Sequence, residues 1–174
     1  MKSLAVFIVC FLGLFLVSCE NGSKKEEVKP QWTKEQSTNL NRSFAREEEI
    51  RIKLYLNQRE NWDVKETGSG LRYWIYEDKE GEVVKSYDLV DVRFEIKLLT
   101  DSLLYKTEVG EISTFKVDKS DIESGVMEGI KYMSEGDKAK MIIPSHLGHG
   151  LLGDFQNIPP LEVLVVDLEL VKIH

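Results

Sequence analysis

Cysteine is almost absent from this chain. Only Cys10 and Cys19 occur, both within the first 19 of 174 residues. Nothing downstream of them can build a disulfide framework or a four-cysteine zinc site. Histidine is scarce as well: His146, His149 and His174 are too few and too clustered for a metal centre, so neither a metal nor any other cofactor is expected. There is no basic excess. Lys and Arg number 23 against 30 Asp and Glu, a net charge of −7, which argues against nucleic acid as a partner. No apolar run is long enough to span a bilayer comfortably, since residues 4–17 form the only extended one and Gly13 breaks it. What remains is 42% apolar and 30% charged, enough for one folded domain plus extensions.

The first residues read as an address. Lys2 supplies a positive charge, residues 4–17 an apolar core, and the stretch ends Leu16-Val17-Ser18-Cys19. That order is the layout of a secretory signal. Its end resembles a bacterial lipobox, in which the cysteine is acylated and becomes the first residue. The resemblance assigns residues 1–18 to a lipoprotein signal peptide and Cys19 to lipidation, so that lipid chains hold the protein to a membrane without a spanning helix. An ordinary signal with a chance cysteine, or an uncleaved anchor, is the competing reading. Residues 19–32 are polar and aperiodic and read as a flexible tether. Glu20, not aspartate, follows the cysteine, which by resemblance to known sorting rules favours the outer membrane, on its periplasmic or surface face.

Residues 33–63 change to a helical pattern. Thr33 and Gln36 have capping-box spacing, and Leu40/Phe44, Ile50/Leu54 and Ile52/Leu56 recur at four residues. A spacer packing on the next domain is favoured over a dimerisation or client-gripping helix, because the apolar positions make no heptad seam. From residue 64 the chain is strand-rich. Residues 71–76, 89–99, 112–117, 138–143 and 161–173 read as strands, the second and last with clear two-residue alternation. Residues 125–133 read as one short helix with Val126, Ile130 and Met133 inward. The expected class is α+β: a twisted antiparallel sheet wrapped on one short helix and preceded by the spacer helix. Residues 64–174 are expected to fold alone.

Sequence signatures cluster in the last fifty residues: Gly125-Val126-Met127-Glu128-Gly129-Ile130, Met133-Ser134-Glu135-Gly136-Asp137-Lys138, Gly148-His149-Gly150, Ile158-Pro159-Pro160 and Leu164-Val165-Val166-Asp167-Leu168-Glu169-Leu170. Their spacing resembles the FK506-binding-protein (FKBP) type of peptidyl-prolyl cis–trans isomerase. With the lipobox and the spacer helix, the chain is similar to the gliding-motility-associated FKBP-type lipoproteins of the Bacteroidetes. The three glycines Gly148, Gly150 and Gly153 lack the Lys-Ser/Thr ending of a phosphate loop and are discounted as one.

The resemblance implies an isomerase that rotates X–Pro bonds in exported envelope proteins. It places a substrate pocket at Phe94, Tyr105, Lys106, Ile122, Val126, His149, Ile158 and Val166, with His149, Tyr105 and Ile158 as the catalytic set. Several positions depart from the family pattern. Val126 stands for a tryptophan floor, His149 for a tyrosine donor, Lys106 for an aspartate and Val166 for a phenylalanine. Glu123 stands for an isoleucine beside the retained Ile122. These changes leave open a rival reading, a catalytically weak FKBP-fold module that scaffolds an envelope complex.

If Cys19 is the anchor, radiolabelled fatty acid is incorporated into the wild type. Cys19→Ala abolishes the label and releases or mislocalises the protein, whereas labelling that survives the substitution sinks the lipoprotein reading.

Overall fold

The computed structural model describes residues 32–174. The signal peptide, Cys19 and nearly all of the tether lie outside the described residues. From residue 35 onward the chain forms one unit. Helix α1 (Lys34–Asn57) is followed by strands β1 (Lys65–Glu66), β2 (Arg72–Glu77), β3 (Leu89–Leu98), β4 (Leu103–Lys106) and β5 (Ser113–Lys116). Then come a short helix α2 (Ser124–Gly129), strand β6 (Lys138–Ile143) and strand β7 (Leu164–Ile173). All pairings are antiparallel, in the order β1-β2-β6-β7-β3-β4. β5 pairs with the first half of β3, opposite residues 89–92, while β4 pairs with the second half. One edge of the sheet is therefore two residues long, and the other is made of two four-residue strands.

The alternation in β3 and β7 sets which face is buried. Val90, Val92 and Ile96 of β3 and Leu164, Val166, Leu168 and Leu170 of β7 point into the principal core. Ala139, Met141 and Ile143 of β6 join them, and α2 closes the layer with Val126 and Met127. The helix lies very close to β6. A Cβ on Gly125 would stand 2.5 Å from Ile143 Cγ2, and one on Gly129 2.5 Å from Met141 Sδ. Both distances are below any real carbon contact, so a Cβ at Gly125 would force the branched Ile143 side chain to shift, and one at Gly129 would push aside the flexible end of Met141. The short helix stops as α-helix at Gly129 and continues as a 3₁₀ turn over Ile130–Tyr132, tighter than the single helix expected over 125–133. The turn delivers Ile130 and Met133, both fully buried, into the core.

The opposite face of the sheet is covered by α1. Ile52 and Tyr55 pack on Ile142, Val163 and Val165, with Leu56, Trp62 and Leu99 at the margin. Of the three spaced apolar pairs in α1, only Ile52/Leu56 faces the sheet; Ile50 and Leu54 are exposed. Polar contacts fix the docking. The Glu48 carboxylate, 6% exposed, accepts the Ser145 backbone N–H at 3.0 Å and the Ser145 hydroxyl. Arg51 pairs with Glu162 at 3.2 Å, Arg72 with Glu49 at 2.7 Å, and Arg59 with Asp101 at 2.7 Å.

Most expected strands appear within one residue of their ends, but β1 and β4 were not expected, and the last strand starts later. β4 has only four residues and shows no period, so it was not expected. It is made by the turn after β3, where Asp101 takes φ 63° and Leu98 donates to the Ser102 carbonyl at 3.0 Å. The last strand begins at Leu164 and not at 161, because Leu161 has φ 59°, outside the extended region, and donates to the Gly150 carbonyl at 2.8 Å and not to a ladder partner.

Ile52→Ala removes a fully buried side chain from the interface between α1 and the sheet, and is expected to lower stability by about 2–5 kcal/mol in chemical denaturation. The fragment 64–174 retains every residue of the principal core and is expected to unfold cooperatively at a lower midpoint than the whole chain. A fragment with no cooperative transition makes α1 part of the folding unit.

Candidate functional site: a cleft beside the short helix

A cleft of about 610 Å³ opens where four segments converge. β3 supplies Phe94 and Ile96, and β4 supplies Tyr105 and Lys106. The approach to α2 contributes Asp121, Ile122 and Glu123, and the loop after β6 contributes Gly148 and His149. The position of each follows from the fold. Phe94 lies on the core face of β3 but beyond the reach of α2, so its ring is only half-buried and forms a wall. Tyr105 is opposite Ile96 in the β3–β4 hairpin.

Of the residues expected from sequence, the structure brings Phe94, Tyr105, Lys106, Ile122 and His149 around this cleft. Val126, Ile158 and Val166 are placed differently. They are 4%, 4% and 1% exposed and belong to the principal core, against which Phe94, Tyr105 and Ile122 pack. Val126 ends in the core beneath α2 and does not line the cleft.

Tyr105 is held by a residue that sequence reasoning missed. Its hydroxyl donates to Asp154 Oδ2, while Asp154 Oδ1 accepts backbone N–H groups from Gln156 at 2.9 Å, Asn157 at 2.9 Å and Ile158 at 2.7 Å. One carboxylate therefore ties β4 to the loop that carries Ile158. Partial desolvation opposes its charge, but these four donors prevail and hold its pKa down at about 2. The hydrogen bond to this carboxylate, with some desolvation, pushes the Tyr105 phenol above its ordinary range. The signal for Asp154 was present as an aspartate opening a short polar loop before Ile158-Pro159, the position where an Asx turn forms.

The rim is charged. His149 Nε2 lies 3.0 Å from Glu123 Oε1, with the two side chains 31% and 13% exposed. Lys106 has a distant partner in Glu108, at 3.7 Å. Ser124 donates to the Leu147 carbonyl at 3.0 Å, fastening α2 to the loop of His149. Among the described residues no group of three or more His, Cys, Asp or Glu side chains is arranged to hold a metal ion. The arrangement offers apolar walls, a charged rim and one imidazole: a binding surface for a short peptide segment with an apolar residue at its centre.

Comparison with known proteins points the same way. A family model described as FKBP-type peptidyl-prolyl cis-trans isomerase matches residues 80–171. A probable FKBP-type peptidyl-prolyl cis-trans isomerase of Haemophilus influenzae is 33% identical over 113 residues, 64% of this chain and 46% of that protein. The isomerase FkpA of Aeromonas hydrophila is 37% identical over 113 residues, 64% of this chain and 41% of its own length. The chain thus spans less than half the length of these curated relatives. Among solved structures, that of FkpA from Escherichia coli superposes with a TM-score of 0.65 at 28% identity, covering 79% of this chain and 64% of that one. The N-terminal domain of FKBP42 from Arabidopsis thaliana gives a TM-score of 0.61 at 17% identity, covering 64% of this chain and 92% of the domain, a likeness of fold.

Because the native state holds Asp154 ionised where an unfolded chain takes up a proton, its contribution to stability is present above about pH 4 and is lost as pH falls toward about 2. Asp154→Asn is expected to lower the thermal midpoint near neutrality, and that deficit shrinks as pH falls through this window. A deficit independent of pH would show that the carboxylate is not held by these donors.

Proposed function

The chain belongs to the FKBP-type peptidyl-prolyl cis–trans isomerase family, and on that premise we propose that its cleft rotates X–Pro bonds in exported proteins. The observation that carries the reading is the cleft itself: Phe94, Tyr105 and Ile122 form an apolar surface with His149 at its rim. The chemistry asks for little more. An X–Pro bond is held planar by amide resonance, with a barrier of about 18–20 kcal/mol. Its twisted transition state has less charge separation than the planar amide, so an apolar and water-poor site favours it. Phe94, Tyr105 and Ile122 hold the proline ring away from water. A ring N–H of His149 gives a hydrogen bond to the carbonyl that precedes the proline.

The location belongs to the same proposal. The lipobox-like end of the signal supports a lipid on Cys19 that tethers the domain to the cell envelope, at the outer membrane. Clients are then proline-containing segments of envelope proteins, and the similarity to gliding-motility lipoproteins names one class of them. A second reading, a weakly active binding module in an envelope complex, is favoured by one feature: Val126 is buried in the core and supplies no broad floor to the cleft.

Isomerisation of a proline peptide, followed without a coupled protease, tests both readings. The wild type is expected to accelerate exchange. His149→Ala, measured at about pH 6, is expected to lose up to about tenfold in rate, since one hydrogen bond contributes about 0.5–1.5 kcal/mol and a decade corresponds to about 1.36 kcal/mol. Val126→Trp is expected to raise the rate if the indole reaches the cleft, and its stability is measured alongside because overpacking costs about 1–3 kcal/mol. A wild type no faster than the uncatalysed reaction, not rescued in a folded Val126→Trp variant, supports the binding module.

A further inference from the structure

Glu123 occupies the N-cap of α2, where an acidic side chain ordinarily accepts a backbone N–H of the first turn. Here it makes no such bond. Its carbonyl oxygen receives Val126 N–H at 3.0 Å and Met127 N–H at 3.1 Å, while its carboxylate turns to His149 Nε2 at 3.0 Å. Glu123 and His149 are both departures from the family pattern, and in this fold they are partners.

The pairing decides which ring nitrogen carries the proton. A carboxylate only accepts, so Nε2 must be the donor. A neutral imidazole has a single N–H, which leaves Nδ1 bare, and among the described residues Nδ1 has no hydrogen-bond partner. A bare Nδ1 and a substrate carbonyl are both acceptors and cannot bond to each other. A second N–H arises only when the ring takes up a proton. The other charged or titratable groups around the ring are Asp121 beside Glu123, Lys106 on β4, and Tyr105, whose hydroxyl is committed to Asp154.

We propose that Glu123 is a positioning residue that holds His149 in its Nε2–H tautomer, so that His149 donates into the cleft, from Nδ1, only as an imidazolium. Rotation of the X–Pro bond in this protein is therefore acid-activated. A tyrosine hydroxyl at the same place donates across the whole neutral range. The proposal rests on the isomerase reading above and adds the regulation of that site.

The test measures exchange rates by NMR on an N-acetylated, C-amidated Ala-Leu-Pro-Phe peptide, which has no titratable group, between about pH 5 and pH 8. The catalysed rate of the wild type rises by up to about tenfold as pH falls through this range. Glu123→Ala flattens the profile, because a neutral imidazole without the carboxylate is free to carry its proton on Nδ1. His149→Tyr gives a flat profile as well. Nitrogen-15 spectra of the wild-type ring at about pH 8 show Nε2 protonated and Nδ1 bare, a readout independent of activity. Measurable catalysis with a flat wild-type profile, an unchanged slope in folded Glu123→Ala, or an Nδ1–H tautomer at high pH overturns the proposal. Absence of catalysis at every pH in both the wild type and His149→Tyr overturns the isomerase reading instead, and the nitrogen spectra then still decide whether Glu123 sets the tautomer.

Discussion

Two glycines let α2 rest on β6 so closely that a Cβ at either would run into a β6 side chain, and one wall of the cleft begins just before that contact. Gly125 lies against Ile143 and Gly129 against Met141, so the helix start sits directly on the sheet. The residues just before it, Asp121 to Glu123, are thereby held as one wall, facing Phe94 and Tyr105 on the other. A larger residue at Gly125 must shift Ile143 or the helix start, and a shift of the helix start carries the wall with it. The pocket is in this sense a by-product of core packing: its shape is set by residues that no substrate touches.

The loop over residues 148–160 is the second support. It has little regular structure and is kept in place by individual polar groups. Ser124 holds its start, Asp154 gathers three consecutive N–H groups, and Asp154 also receives the Tyr105 hydroxyl from across the cleft. Behind it, buried Glu48 of α1 takes both donors of Ser145, at the foot of the same loop. Helix and cleft are thus joined through one serine, although they lie on opposite faces of the sheet.

The long strands were legible because each buries one face, which forces a two-residue period on the sequence. The four-residue β4 carries no such period and emerges only from the turn at Asp101. Likewise, the family resemblance pointed to Ile122 and His149 by spacing that runs without a gap over residues 121–174, and to Phe94 and Tyr105 by a looser alignment of the preceding strands. It gave no hint that Tyr105 would bind Asp154, or His149 bind Glu123, because such pairs join residues 49 and 26 apart that only the folded chain brings together. Val126, Ile158 and Val166 show the converse limit. A motif reports a position in the fold, while side-chain length decides whether that position reaches solvent or ends in the core.

The sheet's borders carry a consequence of another kind. A long open strand edge leaves a row of unpaired backbone groups that recruits other extended segments into its own ladder. Here one border offers two residues and the other two strands of four, with Lys106 and Lys116 among them. Such short, lysine-bearing margins give an incoming strand too few partners to stay. The described sheet therefore has no long open edge on which an extended chain, or a second copy of the domain, could continue the ladder.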